Sequence, residues 1–240
     1  MFRTFSLGLI LFMTACKSDE SVRNIDWQGH RGARGVYPEN SLPAFRHALD
    51  VGMNTLEMDV VITADSQVVV SHEPFMSSVI CVAPDGDPIP ESAEKSFNIF
   101  RMTFNEVAMF DCGSRQHPRF PDQKKMKISK PLLSEVFQMA RKFADSTGLP
   151  MPEFNIEIKS RPEWDGRYHP VPKTYVDLVL REVQKAGVME KVTIQSFDYR
   201  PLQILDEQQA AVKLAFLNEG PESISTHSAK LTFVPDIYSP

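Results

Sequence analysis

The sequence predicts an α/β fold built from parallel β/α units, on three observations. Short segments with period-two apolar alternation recur between longer segments whose apolar residues repeat at helical spacing. The alternation is tight from residue 26 to 72, lapses from 73 to 130 into a loop-rich insertion, and resumes at Pro131. Composition fits one globular domain: of 240 residues, 42% are hydrophobic and 24% charged, with no internal repeat and no low-complexity linker.

The first 15 residues read as an export signal. Arg3 precedes an apolar run, Leu7 to Met13, that is too short to span a bilayer as a stable helix. Met13-Thr14-Ala15-Cys16 then sets small residues ahead of a cysteine, the layout of a bacterial lipoprotein signal cleaved before Cys16. Residues 1–15 are therefore assigned as signal peptide, Cys16 as the lipidation site, 16–25 as a tether and 26–240 as the folded domain. The expected location is the bacterial cell envelope, anchored to the membrane by lipid and facing the periplasm or the surface. A plain signal peptide with an incidental cysteine is the alternative.

A first strand is expected over Asp26 to Arg31. Asn40 or Ser41 can cap the next helix, Pro43 lies in its first turn, Leu42, Phe45, Ala48 and Leu49 make its apolar face, and Gly52 ends it. A strand over Thr55 to Ile62 follows, in which Glu57 and Asp59 share one face because side chains alternate. Another strand runs from Val68 to His72, joined by a link too short for a crossover helix, so an irregular connection is expected. Prolines and glycines then mark the insertion at 73–130, where Thr103 and Glu106 have capping-box spacing. Beyond it come a helix over Ser134 to Ser146, a strand over Phe154 to Lys159, a helix over Thr174 to Ala186 and a strand over Val192 to Phe197. A helix near Pro201 to Gln209, a strand over Val212 to Leu217 and a last strand over Leu231 to Tyr238 bring the count to seven strands.

A net charge of −5 excludes a general electrostatic attraction to nucleic acid, so any phosphate must be held locally. Cys81 and Cys112, both in the insertion, are candidates for a disulfide in an oxidising compartment. His30 and His72 stand near strand ends with an arginine and carboxylates close in sequence. His47, His117, His169 and His227 lack such company and are expected at the surface or in loops.

Gly29-His30-Arg31-Gly32, Pro38-Glu39-Asn40, Glu57-x-Asp59-Val60 with Thr63 and Asp65, Val69-x-x-His72 and Glu157-x-Lys159 together resemble the glycerophosphodiester phosphodiesterase family. The resemblance implies a TIM (β/α)8-type barrel with an inserted subdomain after the second histidine, where residues 73–130 fall. It implies that Glu57, Asp59 and Glu157 bind one divalent metal, that His30 and His72 are the acid/base pair, and that Arg31 and Lys159 contact phosphate.

The chemistry of those residues agrees with what the resemblance implies. Oxygen-only ligands favour a hard cation, Ca²⁺ or Mg²⁺. Three carboxylates, one dication, Arg31 and Lys159 sum to +1, which matches a phosphodiester of −1. The expected reaction is metal-dependent hydrolysis of glycerophosphodiesters to glycerol 3-phosphate and an alcohol. The alternatives are a lysophospholipase D or other phospholipase on the same barrel, and a catalytically weak binding lipoprotein. The last is motivated by the strand count: seven are found where a closed barrel has eight, so the chain is expected to be a truncated form missing its last strand.

Overall fold

The computed structural model describes residues 25–220, 226 and 230–239; the expected signal peptide, Cys16, nearly all of the expected tether and His227 lie outside the described residues. Seven strands form one sheet: β1 (Gln28–Gly29), β2 (Thr55–Ile62), β3 (Val68–Val70), β4 (Glu153–Ile158), β5 (Val192–Ser196), β6 (Lys213–Leu217) and β7 (Ile237–Ser239). Six of them run parallel in the order β1-β2-β4-β5-β6-β7, which is TIM-barrel-type architecture. The seventh, β3, is antiparallel to β2 and lies off this path. That corrects the strand count: β2 and β3 form a hairpin, so β3 adds nothing to the parallel row. The connection between them is a tight turn in which Ser66 takes φ 59° and the Thr63 hydroxyl donates to Asp65 Oδ1 at 2.6 Å.

The helices follow their local signals. In α1 (Leu42–Asp50) the Ser41 Oγ accepts the Ala44 N–H, Pro43 falls in the first turn, and Ala44, Phe45, Ala48 and Leu49 are buried against the sheet. In α3 (Leu133–Thr147) the Glu135 carboxylate accepts the Leu132 N–H at 2.8 Å, and Gly148, at φ 71°, ends the helix. Helices α4 (Pro172–Ala186) and α5 (Tyr199–Glu207) complete the β/α units. The first and last strands are shorter than expected, two and three residues, and Arg31 belongs to the turn after β1.

The main core lies between the sheet and α1, α3, α4 and α5. A second, smaller core explains how the insertion folds without long elements. Val61 and Val69 point away from the main core because strand residues alternate, and they pack with Met76, Ile99, Val107 and Phe110. The insertion contains two 3-10 turns and the short helix α2 (Phe104–Val107), whose capping box of Thr103 and Glu106 forms as the spacing suggests. Cys81 and Cys112 are joined in a disulfide inside this second core.

Two histidines lie in loops, as expected, but are buried there. His169 is 1% exposed: the Arg161 N–H donates to its Nε2 at 3.1 Å and its Nδ1 lies 2.7 Å from the Pro170 carbonyl, so the ring ties down the loop after β4. His117 is also buried, stacked near Phe120, and its Nδ1 accepts the Arg119 N–H. Both lie in loops, but they are internal struts because each ring satisfies backbone groups that water does not reach.

Candidate active site

The site is assembled by one turn and two adjacent strands. After β1 the Gly32 N–H donates to the Gly29 carbonyl at 2.9 Å, with Arg31 at φ 54° and Gly32 at φ 74°. A Cβ on Gly32 would come within 2.7 Å of the Ala44 carbonyl carbon, so only glycine lets this turn pack on the start of α1. The turn brings the Arg31 N–H to Glu57 Oε2 at 2.8 Å and leaves the His30 ring beside the same carboxylate, at 3.9 Å.

Parallel pairing brings the third acid to the first two. Asp59 of β2 is in register with Glu157 of β4, and Glu57 is two residues back on the same face. One oxygen from each of Glu57, Asp59 and Glu157 lies within 4.8 Å of the others. The three residues are 6%, 1% and 6% exposed. Like charges this close and this buried repel unless a cation lies among them, and three carboxylate oxygens fit a hard dication.

Neighbours hold each acid in place. Asn40 Nδ2 donates to Asp59 Oδ2 at 2.8 Å, and Lys159 Nζ reaches Asp59 Oδ1 at 3.1 Å and Glu157 Oε1 at 2.8 Å. Asn155 Nδ2 donates to Gln195 Oε1, whose own amide donates to Glu57 Oε1 at 2.9 Å. Arg31 makes a two-pronged contact with Glu39, at 2.9 and 3.1 Å, while its Nε lies 3.3 Å from Asp59 Oδ2 without hydrogen-bond alignment. His72 Nδ1 lies 2.8 Å from Glu73 Oε1. His30, Arg31, Glu57, His72, Glu157 and Lys159 all line one cleft of ≈ 520 Å³, and Asp59 lies beneath it.

Electrostatics follow from burial. Glu57 is pushed up to about 8, first by burial and then by Asp59. Glu157 is raised to about 7, again chiefly by burial, with Lys159 opposing. Burial also works against ionised Asp59, but Lys159, His72 and Arg31 outweigh it and hold that acid well below its ordinary value. His30 is lowered to about 4 by burial and by Arg34 and Arg31, so its ring is neutral at pH 7. Glu73 is held down first by its hydrogen bond to His72.

The structure thus brings together all seven residues expected at the site. Glu39 and Glu73, which pair with Arg31 and His72, add two carboxylates that the charge count from sequence left out. Gln195, Asn155 and Glu73 were missed. Gln195 had a signal, as a polar residue among apolar ones in β5, but only the fold shows that it faces Glu57.

A buried acidic cluster toward the carboxyl ends of parallel strands, ringed by basic groups and histidines, places the chain among α/β barrel-type proteins with a cation-ready site. Its sequence then gives the family: residues 30–236 match the glycerophosphoryl diester phosphodiesterase family, and the chain belongs to it. The glycerophosphodiester phosphodiesterase of Bacillus altitudinis is 24% identical over 188 residues, 78% of this chain and 64% of that protein. The chain therefore spans less than two thirds of that relative's length. A solved protein of Silicibacter pomeroyi assigned to the same enzyme class superposes with a TM-score of 0.76 at 28% identity, covering 89% of this chain and 74% of the other. An Oleispira antarctica phosphodiesterase, solved with the product sn-glycerol-3-phosphate, shares the fold at a TM-score of 0.63 and 17% identity, covering 86% and 71%.

Proposed function

We propose that the protein hydrolyses glycerophosphodiesters to glycerol 3-phosphate and an alcohol, with His30 and His72 as its acid/base pair. The observation that carries this reading is the convergence of both histidines and the three-carboxylate cluster on one cleft. One divalent cation, Ca²⁺ or Mg²⁺, held by Glu57, Asp59 and Glu157, would supply charge neutralisation and polarisation of a phosphoryl oxygen. Arg31 and Lys159 line the cleft and present cationic groups to the diester. His30, neutral at pH 7, is suited to take a proton from the attacking hydroxyl. His72, backed by ionised Glu73, is suited to give one to the leaving alcohol. The decisive experiment is release of glycerol 3-phosphate from glycerophosphocholine with and without chelator. No release in the presence of Ca²⁺ or Mg²⁺ would refute it.

A lysophospholipase D activity is the second reading, favoured by the apolar residues Phe197, Leu217 and Ile237 that line the same cleft. Release of choline from lysophosphatidylcholine tests it. The reading further includes an envelope anchor at Cys16, supported by the sequence pattern alone, and loss of lipid labelling in Cys16→Ser is its measurement. Among the described residues no helix is long and apolar enough to cross a membrane.

A further inference from the structure

We propose that the leaving alcohol of the diester has its own subsite beside His72, formed chiefly by Arg161 and Trp164, and that this subsite takes a short, neutral, hydroxyl-rich alcohol such as glycerol. The assignment rests on the phosphodiesterase reading and names a substrate class for it. A hollow of ≈ 130 Å³ opens off the catalytic cleft, and His72, Glu157 and Lys159 line both. His30 lines the cleft alone. With His72 as the group that protonates the leaving alcohol, the alcohol departs on the His72 side, and this hollow is the space it enters. The rest of the wall comes from Glu73, Ser160, Arg161, Trp164, Phe197 and Glu219. The volume is about four times a water molecule's share, enough for a short alcohol and too small for an acyl chain.

The loop that carries Arg161 and Trp164 is held in place by contacts the catalytic chemistry does not use. The Arg200 guanidinium joins Asp165 of this loop, at 2.7 Å, to Asp198 just past β5, at 2.6 Å, and the Ser160 hydroxyl donates to the same Asp198 at 2.7 Å. From the insertion, Asn98 Nδ2 donates to the Arg167 carbonyl at 2.8 Å and Arg101 to the Gly166 carbonyl at 2.9 Å. Trp164 meets Tyr168 edge-on at 5.7 Å and carries the Arg161 guanidinium over its ring at 4.8 Å. A guanidinium stacked this way keeps its edge N–H groups for a ligand, and among the described residues the Arg161 side chain makes no ion pair or hydrogen bond. Free acceptors line the same hollow. Glu73 commits Oε1 to His72, and among the described residues neither its Oε2 nor the Glu219 carboxylate is hydrogen-bonded. A hydroxyl both donates and accepts, so a polyol uses these donors and acceptors together. A trimethylammonium group can do neither and meets the Arg161 charge, while an anionic alcohol meets Glu73 and Glu219.

The test compares glycerophosphoglycerol with glycerophosphocholine in the full chain with Ca²⁺ or Mg²⁺, both read as release of glycerol 3-phosphate. The wild type should favour glycerophosphoglycerol about tenfold in kcat/KM. Arg161→Met should raise KM for glycerophosphoglycerol about tenfold, with kcat and the choline diester changed less than twofold, so that the preference disappears. Trp164→Leu removes the platform under Arg161 and should act alike, and the double variant should be no worse than either single one. Equal rates on the two diesters, a choline preference, or an undiminished preference in Arg161→Met overturns the proposal. So does an equal rise in KM for both diesters, since that would place the shared glycerol phosphate half in the hollow. Calorimetric titration with glycerophosphoglycerol needs no turnover and separates the two readings. Binding that Arg161→Met abolishes, with neither diester hydrolysed, would keep the subsite and refute the phosphodiesterase reading; no binding and no hydrolysis would refute both.

Discussion

Titrating a divalent metal into the metal-free protein at several pH values tests the acidic cluster most directly. Glu57 at about 8 and Glu157 at about 7 hold protons at pH 6 that a metal must displace. The sign is therefore set: apparent metal affinity rises with pH until both acids are ionised without metal. The rise should be steep between pH 6 and 8 and level off above, as the two interacting acids lose their protons together. Proton release should fall in parallel, from nearly two per metal at pH 6 to well under one at pH 8. Calorimetry in two buffers of different ionisation enthalpy reads that number. The same raised values favour the fold at low pH, and this contribution is lost as pH climbs through 7 and 8, so the metal-free protein should melt at lower temperature at pH 8 than at pH 6 on their account. Metal should offset the loss. Binding that is flat with pH and releases no protons would refute the placement of these acids in one desolvated cluster.

Four further outcomes follow from particular contacts. Glu57→Gln should abolish tight metal binding and activity together, read by the same titration and by glycerol 3-phosphate release. His30→Ala and His72→Ala should keep the metal and lose kcat by ~100-fold or more; near-normal turnover in either would remove that histidine from the acid/base pair. Gly32→Ala should destabilise the fold by at least ~2 kcal/mol in denaturant melts, since it adds both a left-handed strain and a clash with α1. Replacing Cys81 and Cys112 by Ala should cost about 3–4 kcal/mol for a cross-link spanning 31 residues and should loosen the insertion while leaving metal affinity intact, which hydrogen exchange and titration can separate.

The α/β class, the helices and most strand positions were legible in the sequence because they depend on local pattern. The period-two run Thr55 to Ile62 was read at its observed bounds, and the Ser41 cap, Pro43 and Gly148 marked helix limits through backbone geometry that a short window encodes. The direction of β3 was not legible. A five-residue link excluded a crossover helix but did not say that the strand turns back on β2, and the strand count erred for that reason. Nor was the insertion's second core, whose members are scattered between Val61 and Cys112 and meet only after the hairpin exposes Val61 and Val69 on the far face.

By itself the sequence determined which reactive groups the chain carries in ordered motifs: two histidines, three acids and two cations, since each residue's chemistry is intrinsic to its side chain. Tertiary structure decided how those groups act on one another. The register of β2 against β4 set the spacing of the three acids, burial raised two of them while cationic neighbours kept the third ionised, and Glu39 and Glu73 joined the site from separate stretches of chain. Ionisation and pairing depend on distance and desolvation, and both arise only when distant segments pack together.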